Sequence, residues 1–260
     1  MEGFQFGRTL SRTFSILGAS VGTVGVFVLL LQIVSAGLNT MATGRLKVAA
    51  TGDAANPAAI FLSPWYWAML FVGFAIGAVL AGGAISGFLS AARGESGPLG
   101  DLFRAGLGHA LPVLGLMILW TIGISLGFAL LIVPGLILVA MWAVCLPVLI
   151  GEGGGVFASF GRSRALTKGA RWKILAVLIV AVVIIYVPIM FAGGMAGAIG
   201  GSAGAAGMLR AEGTPVGFVF SVIFGWIMMM VVYSLLTSIY LETKLALEGS
   251  ESGGLGGVFE

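Results

Sequence analysis

Apolar residues in this chain come in long unbroken runs separated by short polar gaps, with no sustained alternation that would mark strands. Six runs stand out: residues 15–38, 64–92, 111–133, 136–150, 172–191 and 215–241. Most reach the roughly 17–25 apolar residues that cross a bilayer as a helix. The fourth is shorter, at about fifteen residues, so it is expected to be little tilted or buried among its neighbours. Val34-Ser35-Ala36 fits a signal-peptidase site, but the run 15–38 is longer than the roughly 7–15 residues of a signal core. It reads as an uncleaved span. Pro64-Trp65-Tyr66-Trp67 opens the second run with a helix-starting proline and three interfacial aromatics. Pro134-Gly135 is expected to make a sharp structural turn between the third and fourth runs, and Pro188 to kink the fifth.

The gaps add a second layer. Phe4, Phe6, Leu10 and Phe14 are mixed with Arg8 and Arg12 in residues 1–14, and Leu99, Leu102, Phe103 and Leu107 recur at helical spacing in residues 93–110. Both suit short helices in the headgroup region. Residues 39–63 read as a polar loop, and 192–214 are rich in glycine and alanine. The expected fold is all-α: a polytopic integral membrane protein of about six transmembrane helices with short interfacial amphipathic helices. Residues 1–245 form its single domain, and 246–260 form a flexible cytoplasmic tail.

Composition strengthens the membrane reading. Hydrophobic residues make up 59% of the chain and charged residues 9%, with a mean hydropathy of +1.12. A soluble domain has about 25% charged residues, so this chain could not cover itself with a polar surface. Six spans put ten cations on one side (Arg8, Arg12, Arg93, Arg104, Arg162, Arg164, Lys168, Arg171, Lys173 and Lys244) and three on the other (Arg45, Lys47 and Arg210). The excess of lysine and arginine in short cytoplasmic loops then puts both termini in the cytoplasm.

Candidate chemistry is sparse. The span interiors offer no Asp, Glu, Lys, Arg or His, and there is no paired-carboxylate, HExxH or phosphate-loop pattern. No catalytic residue, metal ligand or cofactor is expected. His109 stands at a span edge with no acidic neighbour in sequence, and Cys145 reads as a small packed apolar residue. Gly18/Gly22, Gly73/Gly77, Gly83/Gly87, Gly123/Gly127 and Gly193/Gly197 form small-residue pairs suited to close helix packing or self-association. The strongest feature is the segment after Glu152: Arg162, Arg164, Lys168, Arg171, Trp172 and Lys173 form a candidate surface for lipid headgroups or a protein partner. Glu152 is expected to pair with Arg162 or Arg164. The partners expected are membrane lipids, anionic phospholipids first, then a second copy of the chain or another membrane protein; nucleic acid is not expected. A transporter of a lipid-like or small neutral solute is the first alternative. An intramembrane lipid-modifying enzyme, in which His109, Glu152 and the arginines would converge, is the second.

Pro134-Gly135, Pro147, Glu152, Arg162-Ser163 and Leu166-Thr167-x-Gly169-x-x-Trp172 resemble the signature of the membrane domain attached to some glycerophosphodiester phosphodiesterases and of its stand-alone bacterial inner-membrane relatives. Tyr240-Leu241-Glu242-Thr243-Lys244 followed by Glu248-Gly249 is similar to that family's ending, and Phe6-Gly7-Arg8 and residues 99–112 are compatible. The resemblance implies a helical domain of about six spans. It carries over no phosphodiesterase activity, because the hydrolase domain is missing from this sequence.

Overall fold

The computed structural model describes residues 6–50, 63–95, 97–199 and 215–256, and every regular element among them is a helix. In chain order these are α1 (Phe6–Ser20), α2 (Thr23–Ala50), α3 (Pro64–Ala92), α4 (Leu99–Leu130), α5 (Ile132–Met141), α6 (Cys145–Glu152), α7 (Val156–Leu166), α8 (Arg171–Ile199) and α9 (Pro215–Gly256). Five stretches of the described residues are long and apolar enough to cross a membrane: Thr23–Met41, Pro64–Ala92, Leu99–Leu130, Ile132–Glu152 and Phe218–Leu247. The run 172–191 lies within the continuous helix α8, whose side chains from residue 188 onward fall outside the described residues. Arg45, Lys47, Arg210 and the Gly193/Gly197 pair also lack described surroundings.

Close approaches fix the helix directions. Gly83 faces Phe27 and Leu102, Gly87 faces Val24 and Leu102, and Gly106 faces Val79, so α3 runs antiparallel to both α2 and α4. Trp226 Nε1 donates to the Gly25 carbonyl at 2.7 Å and Gly225 meets Gln32, which sets α9 antiparallel to α2. Gly151 lies against both Leu89 and Tyr240. One end of the bundle therefore gathers the start of α2, the end of α3, the start of α4, the end of α6 and the later turns of α9. The core between these helices is apolar: Phe27, Ile85, Phe88, Val113 and Ile239 are fully buried.

Several boundaries differ from the sequence reading. Residues 15–20 belong to α1, which buries the face Thr9, Thr13, Ile16 and Ser20 and packs on α9 and α3. The hydroxyls of Thr13 and Ser20 donate to carbonyls four residues earlier, at 2.8 and 2.6 Å, so they enter the bundle already satisfied. The expected loop 39–63 is helical as far as Ala50. The expected interfacial helix at 99–110 is the first three turns of α4, because Leu102 and Gly106 continue its buried face. Pro112 lies within α4, as proline is tolerated inside membrane-crossing helices. The chain reverses at Leu131, which is extended (φ −166°, ψ 155°), and not at Pro134-Gly135. Pro134 occupies the first turn of α5, where its missing N–H costs nothing, and Gly135 takes the ring of Phe128 against its bare backbone. At the C-terminus α9 extends to Gly256, past the start of the expected tail, since lengthening a packed helix needs no new nucleus.

The glycine pairs divide sharply. An added Cβ at Gly18, Gly22, Gly73 or Gly77 would meet nothing within 4 Å, whereas Gly83, Gly87, Gly123 and Gly127 face side chains or backbone in van der Waals contact. At Gly106 a Cβ would lie 2.5 Å from the Val79 carbonyl oxygen, which is backbone and cannot swing aside. Gly106→Ala is therefore expected to destabilise the bundle by about 1–3 kcal/mol, and Gly77→Ala to leave it unchanged, as read by thermal unfolding in detergent.

Candidate functional site

The fourth span is not one helix. α5 stops at Met141, residues 142–144 form a turn, and α6 begins at Cys145. The turn releases the Met141 carbonyl from the helical ladder inside an apolar run, where an unsatisfied carbonyl costs several kcal/mol. α7 supplies the remedy. Ser163 Oγ donates to Met141 O at 2.8 Å and Thr167 Oγ1 at 3.3 Å, and both residues are fully buried. Thr167 also donates to the Ser163 carbonyl at 2.9 Å, and Phe160 packs edge-on against Trp142, with ring centroids 4.9 Å apart. Three glycines, Gly153 to Gly155, make the α6–α7 link, two of them for a reason of backbone shape. Gly153 caps α6 at φ 70° and Gly155 precedes α7 at φ 82°, both in the region that side chains disfavour.

This packing turns the cations of α7 outward and leaves one of them in a network. Arg162 Nε donates to Glu152 Oε2 at 3.0 Å, as the spacing suggested. The other carboxylate oxygen accepts from Tyr240 Oη at 3.1 Å, with Lys244 Nζ 3.8 Å away. Lys244 also reaches Tyr240 Oη at 3.4 Å and lies 5.6 Å from its ring centre. Glu152 thereby ties the end of α6 to α7 and to α9, and only 23% of its side chain is exposed. A second ionic tie lies nearby in sequence on α9: Arg12 Nη1 is 3.0 Å from Glu242 Oε1, a carboxylate with 4% exposure.

The remaining residues of the expected surface do not join the Glu152 network. Arg164, Lys168 and Lys173 are exposed, and Arg171 is half-buried with no acceptor for its Nε among the described residues. Phe157 and Trp172 expose 80% and 73% of their surface, so aromatic and cationic groups share this face. His109 is elsewhere. Its Nδ1 lies 2.8 Å from the Ala105 carbonyl, which can only accept, so Nδ1 carries the proton. Its Cβ packs near Gly82, while Glu152's neighbour Gly151 packs near Leu89. Seven residues on α3 separate those contacts, about 10 Å, and His109 and Glu152 do not converge. Tyr240, Arg12 and the Ser163/Thr167 pair escaped the sequence reading as site residues. The one sequence signal for the last was two hydroxyls four residues apart on a short helix. No protein family, curated protein or solved structure matches the chain.

The pairing at Met141 makes a direct prediction. Ser163→Ala combined with Thr167→Val removes both donors from a buried carbonyl, and is expected to lower stability by about 1–3 kcal/mol. Arg164→Ala, on the exposed face of the same helix, is expected to leave the thermal unfolding midpoint unchanged.

Proposed function

We propose that this chain is a non-enzymatic, multi-pass inner-membrane protein that holds anionic phospholipid against the α7–α8 face, with both termini on the cytoplasmic side. The observation that carries this reading is the sidedness of α7. Its Ser159, Ser163 and Thr167 face is buried, and Arg164, Lys168 and Phe157 are left outside beside Trp172. Exposed aromatics interleaved with cations suit the headgroup layer. Arg171 and Lys173 stand in the first turn of α8, where the helix dipole disfavours cations by about 0.3–1 kcal/mol. An anionic lipid surface offsets that penalty. α1, which exposes Phe14 beside a buried face, then serves as an interfacial helix, and α8 as a sixth span. Such an arrangement agrees with the resemblance to the phosphodiesterase-attached membrane domain and its stand-alone relatives.

A transporter is the second reading, favoured by the interrupted fourth span, since broken helices line substrate sites in many carriers. Here the released Met141 carbonyl is already taken by Ser163 and Thr167, so that group is not left for a solute. The interruption is better explained as a packing joint.

Lipids that co-purify with the gently extracted protein test the proposal. Each juxtamembrane cation contributes about 1 kcal/mol toward an anionic surface. Arg164→Ala combined with Lys168→Ala should thus cut the retained anionic phospholipid roughly 30-fold at most, and at least several-fold. An unchanged lipid profile in a folded double variant would reduce the segment to a topology anchor.

A further inference from the structure

Two grooves of opposite charge adjoin at the same end of the bundle. One, of about 410 Å³, lies between α1, α3 and α9 and presents Arg12, Lys244 and Ser15 beside apolar Ile16 and Leu245. The other, of about 320 Å³, lies between the α1–α2 junction, the end of α3 and the start of α4, and presents Glu95 and Asp101 with the hydroxyl residues Ser20, Thr23, Ser86 and Ser90. Ala19 and Ala91 line both, so the basic half and the acidic half meet at two alanine side chains. Ser15 in the first groove and Ala19 at the junction are one turn apart on α1, about 5.4 Å along the axis.

Arg12 and Glu95 have capacity to spare. A guanidinium carries five N–H donors. Arg12 Nη1 lies 3.0 Å from Glu242 Oε1, and that contact lacks hydrogen-bond alignment for both atoms. Glu95 touches Arg93 only distantly, at 3.8 Å, and its side chain is 64% exposed. The groove is level with the ends of the apolar stretches that begin at Thr23 and end at Ala92, the depth at which phospholipid heads lie.

We infer that this groove binds the zwitterionic phosphate–ethanolamine head of an aminophospholipid. Phosphate faces Arg12 and Lys244, the primary ammonium faces Asp101 and Glu95, and an acyl chain follows Ile16 and Leu245. A head carrying only negative charge would meet Asp101 and Glu95 with repulsion. A choline head brings no N–H to either carboxylate. The inference names a second lipid class and a second site, and it rests on the membrane placement proposed above, though not on the α7–α8 face.

The test is reconstitution into nanodiscs with equal parts phosphatidylethanolamine, phosphatidylglycerol and phosphatidylcholine, followed by mass spectrometry of the lipid retained on extraction. Wild type should be enriched in phosphatidylethanolamine. Asp101→Asn and, separately, Glu95→Gln should each lower its excess over phosphatidylcholine about fivefold, and Arg12→Gln should lower both lipids together. Glu95 is exposed enough that its substitution leaves the fold intact, which a matching thermal midpoint verifies. If Arg164→Ala with Lys168→Ala alters only phosphatidylglycerol, the two sites are separate. If that variant alters nothing, the first proposal fails while this one still stands on the carboxylate variants. Displacement of the lipid by soluble glycerophosphoethanolamine at equal concentration would make the free head the ligand, and persistence of the lipid would make it the phospholipid. Equal retention of phosphatidylethanolamine and phosphatidylcholine by wild type, or unchanged enrichment in both carboxylate variants, overturns the inference.

Discussion

Every backbone N–H and C=O in an apolar layer needs a partner within the protein, and this constraint organises the structure. Helices meet it automatically along their length. It becomes demanding where a helix breaks, and the fourth span breaks at residues 142–144. The Ser163 and Thr167 hydroxyls on the Met141 carbonyl allow that break and at the same time fix how α7 is rotated. Once those two residues point inward, Arg164 and Lys168 must point out, and Arg162 is left at the rim within reach of Glu152. The surface chemistry at this end is thus a consequence of satisfying one carbonyl.

Close helix contact follows from a different economy. With no hydrophobic drive separating lipid from side chain, association depends on how near two backbones can come. The α3–α4 pair uses Gly82, Gly83 and Gly106 at their crossing, and α4–α5 uses Gly127 against Gly135. Charge is then confined to the ends. Glu152 and Glu242, the carboxylates that are largely covered, each meet a cation. Removing one partner from such a pair costs far more than the pair contributes, so these ties hold α1, α6, α7 and α9 in register.

How much of this could be read in advance differed from element to element. The helix Pro64–Ala92 was legible in full because proline marks its start and a charged Arg93 its end. The end of α2 was not, since polar residues inside a helix look like loop residues until their packing partners are known; the start of α4 was legible as helix from its leucine spacing, but not as continuous with the third span. The break between α5 and α6 left no trace in a uniformly apolar stretch apart from Pro147. Glu152 and Arg162 are ten residues apart across a glycine gap, and their pairing was readable from spacing. Tyr240, 88 residues from Glu152, could be joined to it only by the fold.

The proposed membrane placement requires the Glu152 end and the Pro64 end of the bundle to lie on opposite faces of a membrane, with the Glu152 end inside. Side-specific maleimide labelling in sealed inner-membrane vesicles measures this directly. Single cysteines would be placed at Ala165, exposed on α7, and at Ser63, just before α3, after replacing the buried Cys145 by alanine. With that placement, Ala165→Cys reacts only from the cytoplasmic side and Ser63→Cys only from the opposite side. Reaction of both from the same side would contradict it.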